Sequence, residues 1–187
     1  MAEFDETGID GEGYLGNTRF IPSPNFDERP EECGVNLLVI HNISVPPDDF
    51  GGEGVIELFT NVLDPEAHPY YQRLRGLKVS AHFFIRRRGE IIQFVSCEKR
   101  AWHAGESCWQ GRGRCNDYSI GIELEGSDCM PFTNAQYAAL ASLTHELQER
   151  YPIHDIVGHS DIAPGRKTDP GPCFDWARYR TAISHRR

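Results

Sequence analysis

The run Leu37-Leu38-Val39-Ile40 is continuous, apolar and partly β-branched. That pattern suits a central strand covered on both faces, which requires a layer of structure on each side of a sheet. The run ends at His41-Asn42. Ser80 to Arg86 and Glu90 to Val95 flank Arg87-Arg88-Gly89 and read as an antiparallel hairpin with glycine in its turn. In Ser119 to Gly126, Ile120, Ile122 and Leu124 alternate with small or acidic residues, which places Glu123 and Glu125 together on the opposite face. A further strand or strand end is expected at Ile156 to His159.

Helical patterns interleave with these strands. Val55 to Leu63 carries a weak one that stops at Asp64-Pro65. Asn134 is placed to cap a helix running to about Arg150, with Tyr137, Leu140, Ala141, Thr144 and Leu147 on its covering stripe. Phe174 to Ile183 suits a final helix. Strands mixed with helices over 187 residues indicate one α/β domain with its own core. Residues 1–20 are glycine- and acid-rich and read as a flexible N-terminal arm, which leaves 21–187 as the domain.

Charge and composition narrow the partners. Against 28 acidic residues stand 19 basic ones, and the net charge of −9 argues against binding nucleic acid or anionic lipid by bulk electrostatics. A small-molecule or neutral-glycan partner fits better, and no obligate protein partner is indicated. No stretch has the apolar length of a membrane span. The acidic start Met1-Ala2-Glu3-Phe4-Asp5-Glu6 lacks the basic and apolar regions of a secretory signal, so a cytoplasmic setting is expected. Six cysteines without C-x-x-C spacing are expected as reduced thiols rather than as a zinc ribbon.

His41 stands just past a buried strand and His159 just past a second apolar segment, where active-site side chains tend to project from an α/β sheet. Asp169, ten positions on, is able to complete a three-ligand zinc site with an open fourth position. Spacing alone does not fix that set, since a histidine at a strand end is often only a satisfied polar residue. Four segments, however, arrive in one family's order: Leu38 to Ser44, Arg100-Ala101-Trp102-His103-Ala104-Gly105, Gly121 to Gly126, and Gly158 to Gly171. From about Ile21 to Ile183 the chain resembles the zinc N-acetylmuramoyl-L-alanine amidases, a group that includes phage-lysozyme-type amidases and peptidoglycan recognition proteins.

The resemblance implies a central mixed β-sheet flanked by helices and one Zn²⁺ held by His41, His159 and Asp169. It further implies hydrolysis of the amide between the lactyl group of (1,6-anhydro-)N-acetylmuramic acid and L-alanine, on a small muropeptide, in cytoplasmic peptidoglycan recycling. Glu123 holds the family's proton-transfer position, whereas strand alternation alone leaves Glu125 equally placed. Lys167 is implied as the cation facing the oxyanion, and Asn42, Trp102, His103 and Arg114 as substrate contacts. Lys78 stands where relatives often carry Arg. His82 is expected as a packed histidine behind the site, and His68, His145, His154 and His185 as solvated surface. Cys173 lies four positions past Asp169, and members of the wider group use Cys as the third ligand; because Asp fills the motif position here, Cys173 is not expected to bind the metal. A non-cutting recognition module, an amidase of the intact wall and a purely structural α/β domain are the rival readings. The joint presence of His41, His159, Asp169, Glu123 and Lys167 disfavours the first, and the order of the four segments disfavours the last.

Overall fold

The computed structural model describes residues 8–184. Its strands are β1 (Arg19–Phe20), β2 (Phe26–Glu28), β3 (Leu37–Ile43), β4 (Phe83–Ile85) and β5 (Ile91–Gln93). They continue as β6 (Lys99–Ala101), β7 (Cys108–Trp109), β8 (Arg112–Gly113), β9 (Ser119–Glu125) and β10 (Asp155–Gly158). The helices are α1 (Gly54–Phe59), α2 (Asn134–Arg150), α3 (His159–Ile162) and α4 (Trp176–Ser184). Six strands form the main sheet in the order β1-β5-β4-β9-β3-β10, and β2-β6 and β7-β8 form two small antiparallel pairs.

The buried apolar run explains the centre of this sheet. β3 lies between β9 and β10 and runs parallel to both, while β4 is parallel to β9 and antiparallel to β5. The sheet is thus mixed, with its parallel part covered on both sides. Leu38, Ile40, Ile120, Ile122 and Leu124 face α2 and α4 and pack with Leu140, Leu143, Leu147 and Tyr179. On the other face Leu37 and Val39 meet Val157 and Ile162, and farther along Phe84 and Ile92 meet Val55, Leu58 and Phe59 of α1. Among the described residues no helix is long and apolar enough to cross a membrane.

Four expectations change in detail. The arm expected to be flexible over 1–20 is bound to the sheet from residue 8, with β1 parallel to β5; residues 1–7 lie outside the described part. Its composition is polar, but its backbone is what docks. Gln93 Nε2 donates to the Gly13 carbonyl (2.8 Å), Leu15 N donates to Gln93 Oε1 (2.9 Å) and Ser96 Oγ donates to the Glu12 carbonyl (2.6 Å). Gly13 sits at φ 83°, and a Cβ there would lie 2.8 Å from the backbone nitrogens of Cys97 and Glu98. Ile9 and Leu15 pack against the α2 side of the core.

α1 ends at Phe59 instead of Leu63, because Asn61 turns the chain at φ 62° and exchanges side-chain hydrogen bonds with Asn25. The cap of α2 is Thr133 rather than Asn134. Thr133 Oγ1 accepts from Gln136 N and Gln136 Oε1 accepts from Thr133 N, a reciprocal capping box. Finally α4 starts at Trp176, since Phe174 turns inward against Phe132, Tyr137 and Tyr179.

Candidate active site

Parallel pairing sets the first geometry. His41 of β3 is the register partner of Glu123 of β9, and register partners in a parallel pair project to the same face. β10 ends at Gly158, so His159 enters at the first residue of α3, where the Asp161 carboxylate accepts from Gly158 N at 2.7 Å. Asp169 arrives on the following loop, fixed by Ser160 N donating to its carbonyl at 2.9 Å.

The three side chains converge. His41 Nδ1 and His159 Nδ1 are 2.9 Å apart, and each is 3.0 Å from Asp169 Oδ2. His41 is 1% exposed and His159 3%. His159 Nε2 lies 3.0 Å from the Ala104 carbonyl, which only accepts, so the ring proton sits on Nε2 and the Nδ1 lone pair points into the cluster. Burial holds His41 down to about 4, which keeps its imidazole neutral. Two imidazole nitrogens and a carboxylate oxygen gathered around one point make a donor set that fits a cation.

Glu123 stands beside this group, its Oε1 4.0 Å from His41 Nδ1. Its Oε2 is buried without a hydrogen-bond partner. Burial pushes its carboxyl well above the usual range, the Asp169 charge adds to that and the Lys167 charge opposes it. Glu125, two residues along, accepts from Gly51 N (2.6 Å) and Arg87 N (2.8 Å) and is committed to holding those two loops.

A cleft of about 470 Å³ opens over the group, and its lining includes Glu123, Lys167, Asp169, Asn42 and Trp102 together with Leu58, Tyr70 and Lys78. Asn42 also donates to Asp128 Oδ1 at 2.7 Å. His103 reaches the cleft wall, but its Nδ1 is 2.9 Å from His41 Nε2 and its Nε2 is 3.1 Å from Ser119 Oγ. Arg114 is not brought to the cleft. It takes a left-handed conformation at φ 59° ahead of the short Cys115–Asp117 turn, and its exposed guanidinium pairs with Asp117 at 3.1 Å. His82 lies behind the site, fully buried, with Nδ1 accepting from Gly121 N at 3.0 Å. Cys173 is not in the converging group.

Of the other histidines, His68 and His154 are exposed, as expected, whereas His145 contacts the Ile183 carbonyl at 3.1 Å, tying α2 to α4 rather than standing free; His185 lies outside the described residues. The sequence pattern held no sign of Asn116, whose Oδ1 accepts from His103 N and Ala104 N, or of Tyr70 and Leu58 as cleft walls. Arg166, beside Lys167, donates to the Ala104 carbonyl at 2.7 Å; its neighbour's motif was the available signal.

The family model for N-acetylmuramoyl-L-alanine amidases matches residues 31–172. The chain is 55% identical over 175 residues, 92% of its length and 94% of the relative's, to the 1,6-anhydro-N-acetylmuramyl-L-alanine amidase AmpD of Citrobacter freundii. It superposes on a crystal structure of a selenomethionine AmpD derivative with a TM-score of 0.91 and 56% identity, covering 94% of this chain and 98% of that one. The amidase AmiD of E. coli, solved in complex with anhydro-N-acetylmuramic acid-L-Ala-D-γ-Glu-L-Lys, superposes with a TM-score of 0.60 at 30% identity, over 95% of this chain and 66% of that one. With a converging donor set inside the matched region and relatives of this similarity along nearly its whole length, the chain belongs to the N-acetylmuramoyl-L-alanine amidase family, on the branch of the AmpD amidases.

Proposed function

We propose that the protein is a zinc-dependent amidase that cleaves the bond between the lactyl group of 1,6-anhydro-N-acetylmuramic acid and L-alanine in small muropeptides. The observation that carries this is the meeting of two buried imidazole nitrogens and one carboxylate oxygen beside an unpartnered, buried glutamate oxygen, in an open cleft. The bound anhydromuramyl peptide of the related AmiD supports the substrate class. The six free cysteines support a reducing compartment, the cytoplasm, and recycling of wall fragments as the setting.

His41, His159 and Asp169 would hold the zinc. Bound there, zinc supplies Lewis-acid chemistry, polarising the amide carbonyl and acidifying a water. Glu123 takes the proton from the attacking water and returns it to the departing alanine nitrogen; its raised pKa suits a group that must both accept and give. Lys167, on the cleft wall, places a positive charge where the oxyanion develops. Trp102 offers a flat apolar face to the saccharide and Asn42 an amide rim, while Lys78, also on the cleft lining, is a single ammonium where a bidentate guanidinium would grip a carboxylate more firmly.

The test is mass spectrometry of digests of anhydro- and reduced muropeptides, with elemental analysis of the protein. We expect release of the stem peptide, about one zinc per chain, loss of activity in chelator, and low zinc content in His41→Ala and Asp169→Ala. Full activity in a metal-free protein would overturn the reading.

A further inference from the structure

Both imidazoles of the metal group are held from behind by one short segment, Trp102-His103-Ala104-Gly105. The His103 ring meets His41, with Nδ1 at 2.9 Å from His41 Nε2, and the next residue's carbonyl meets His159 Nε2 at 3.0 Å. We propose that His103 and Asn116 are positioning residues that set the direction and proton placement of the metal-binding nitrogens of His41 and His159. The inference rests on the metal-dependent reading above.

Proton accounting leaves one consistent arrangement. The Ala104 carbonyl accepts, so His159 carries its proton on Nε2 and presents a bare Nδ1. For His41 to present a bare Nδ1 as well, its proton must be on Nε2 and His103 Nδ1 must accept it. His103 then carries its own proton on Nε2, and Ser119 Oγ, 3.1 Å away, accepts that in turn. Both ring nitrogens of His103 are therefore taken, and neither is left to bind a sugar or peptide group. Such partners behind a metal-binding histidine fix its tautomer and ring orientation.

Three further residues fit the segment into place. Asn116 Oδ1 accepts from both His103 N (3.3 Å) and Ala104 N (2.8 Å), so one atom locates the ring that serves His41 and the carbonyl that serves His159. Arg166 donates to the same Ala104 carbonyl at 2.7 Å. Gly121 of β9 makes room for the ring, since a Cβ there would lie 2.4 Å from His103 Cγ. The face of β9 that reads Ser119, Gly121, Glu123 thus carries an acceptor, a space and a carboxylate in sequence.

The test uses the full chain and four variants. His103→Leu and Asn116→Leu remove the contacts at similar volume; His103→Asn keeps an acceptor where Nδ1 stood, and Asn116→Asp keeps the accepting oxygen. Zinc affinity is read by competition with a chromophoric chelator, ligand geometry by the visible absorption of the cobalt-substituted protein, and folding by the melting temperature of the metal-free form. We expect both Leu variants to bind zinc about 10- to 100-fold more weakly, to shift the cobalt spectrum, and to lower kcat more than they raise KM, with the Asn and Asp variants close to the parent. Leu variants that bind zinc as the parent does and only raise KM would overturn the inference and make the segment a substrate contact. So would affinity losses that follow the metal-free melting temperature and are not restored by Asn or Asp. If His103→Leu fails to fold, Asn116→Leu against Asn116→Asp decides. A parent that takes up no zinc overturns the metal-dependent reading itself, which sets that failure apart.

Discussion

Glu123 and Glu125 project from the same face of β9, and their surroundings separate them. Glu125 has an N–H donor on each oxygen, whereas Glu123 has a buried oxygen with none and a place on the cleft wall. Glu123→Gln should retain zinc and lower kcat by roughly 10²-fold or more, as loss of a general acid–base does. Glu125→Gln should leave kcat nearly unchanged and destabilise the fold by about 1–3 kcal/mol, because its new NH₂ faces a backbone N–H. Steady-state kinetics beside urea unfolding check both. At His82 the effect is on stability. Burial, with the Arg29 charge adding to it, holds its pKa near 3, below its ordinary value of 6.5. The unfolded chain therefore takes up a proton before the folded one, so stability present above pH 6.5 is lost as pH falls toward 3. Between pH 7 and 5 this amounts to roughly 2 kcal/mol. Metal-free His82→Gln should show a pH dependence in urea unfolding smaller by that amount, and should keep its zinc when loaded. Strand alternation could not rank the two glutamates, because both face the same way. Only the partners that each acquires from distant loops tell them apart.

At the scale of elements, legibility followed the length of the pattern. β3 and β9, with seven residues each, and the seventeen-residue α2 were readable because each is long enough to show its pattern: an unbroken apolar run in β3, apolar residues at every second position in β9 and buried residues at helical spacing in α2. The pairs β2-β6 and β7-β8 have two or three residues per strand, too few to show one. The capping box of α2 was legible in Thr133-Asn134-Ala135-Gln136, a T-x-x-Q signature, although Asn134 is itself a good capping residue and competes for the position. Thr133→Ala should cost about 1 kcal/mol of unfolding free energy, with some addition because Thr133 Oγ1 also donates to the Arg87 carbonyl at 2.7 Å. An unchanged urea midpoint would show that the cap does not hold the helix. Asn116 left no local mark at all, because it acts on backbone amides that only the fold brings near it.

For the whole molecule, the docked stretch from residue 8 to 20 matters more than its composition suggested, since it continues the sheet beyond β5 and covers apolar surface with Ile9 and Leu15. A chain beginning at Ile21 should unfold at lower urea than the full chain and expose apolar surface at the β5 edge, as dye binding would report. Unaltered unfolding would mean that those contacts add nothing to stability. The metal group itself spans the sequence, with His41 and Asp169 separated by 128 positions, and its three members differ in access. The side chains of His41 and His159 are 1% and 3% exposed, and that of Asp169 is 15%. The histidines stand on the sheet and at the start of α3, and the aspartate on a loop. An ion held there would therefore be reached from the cleft, past the carboxylate, and not through the sheet. Its residence time would depend on how readily the Asp169 loop shifts, a local fluctuation that leaves the sheet beneath closed. Exchange with a labelled zinc pool should then run far faster than global unfolding and quicken when the loop is loosened.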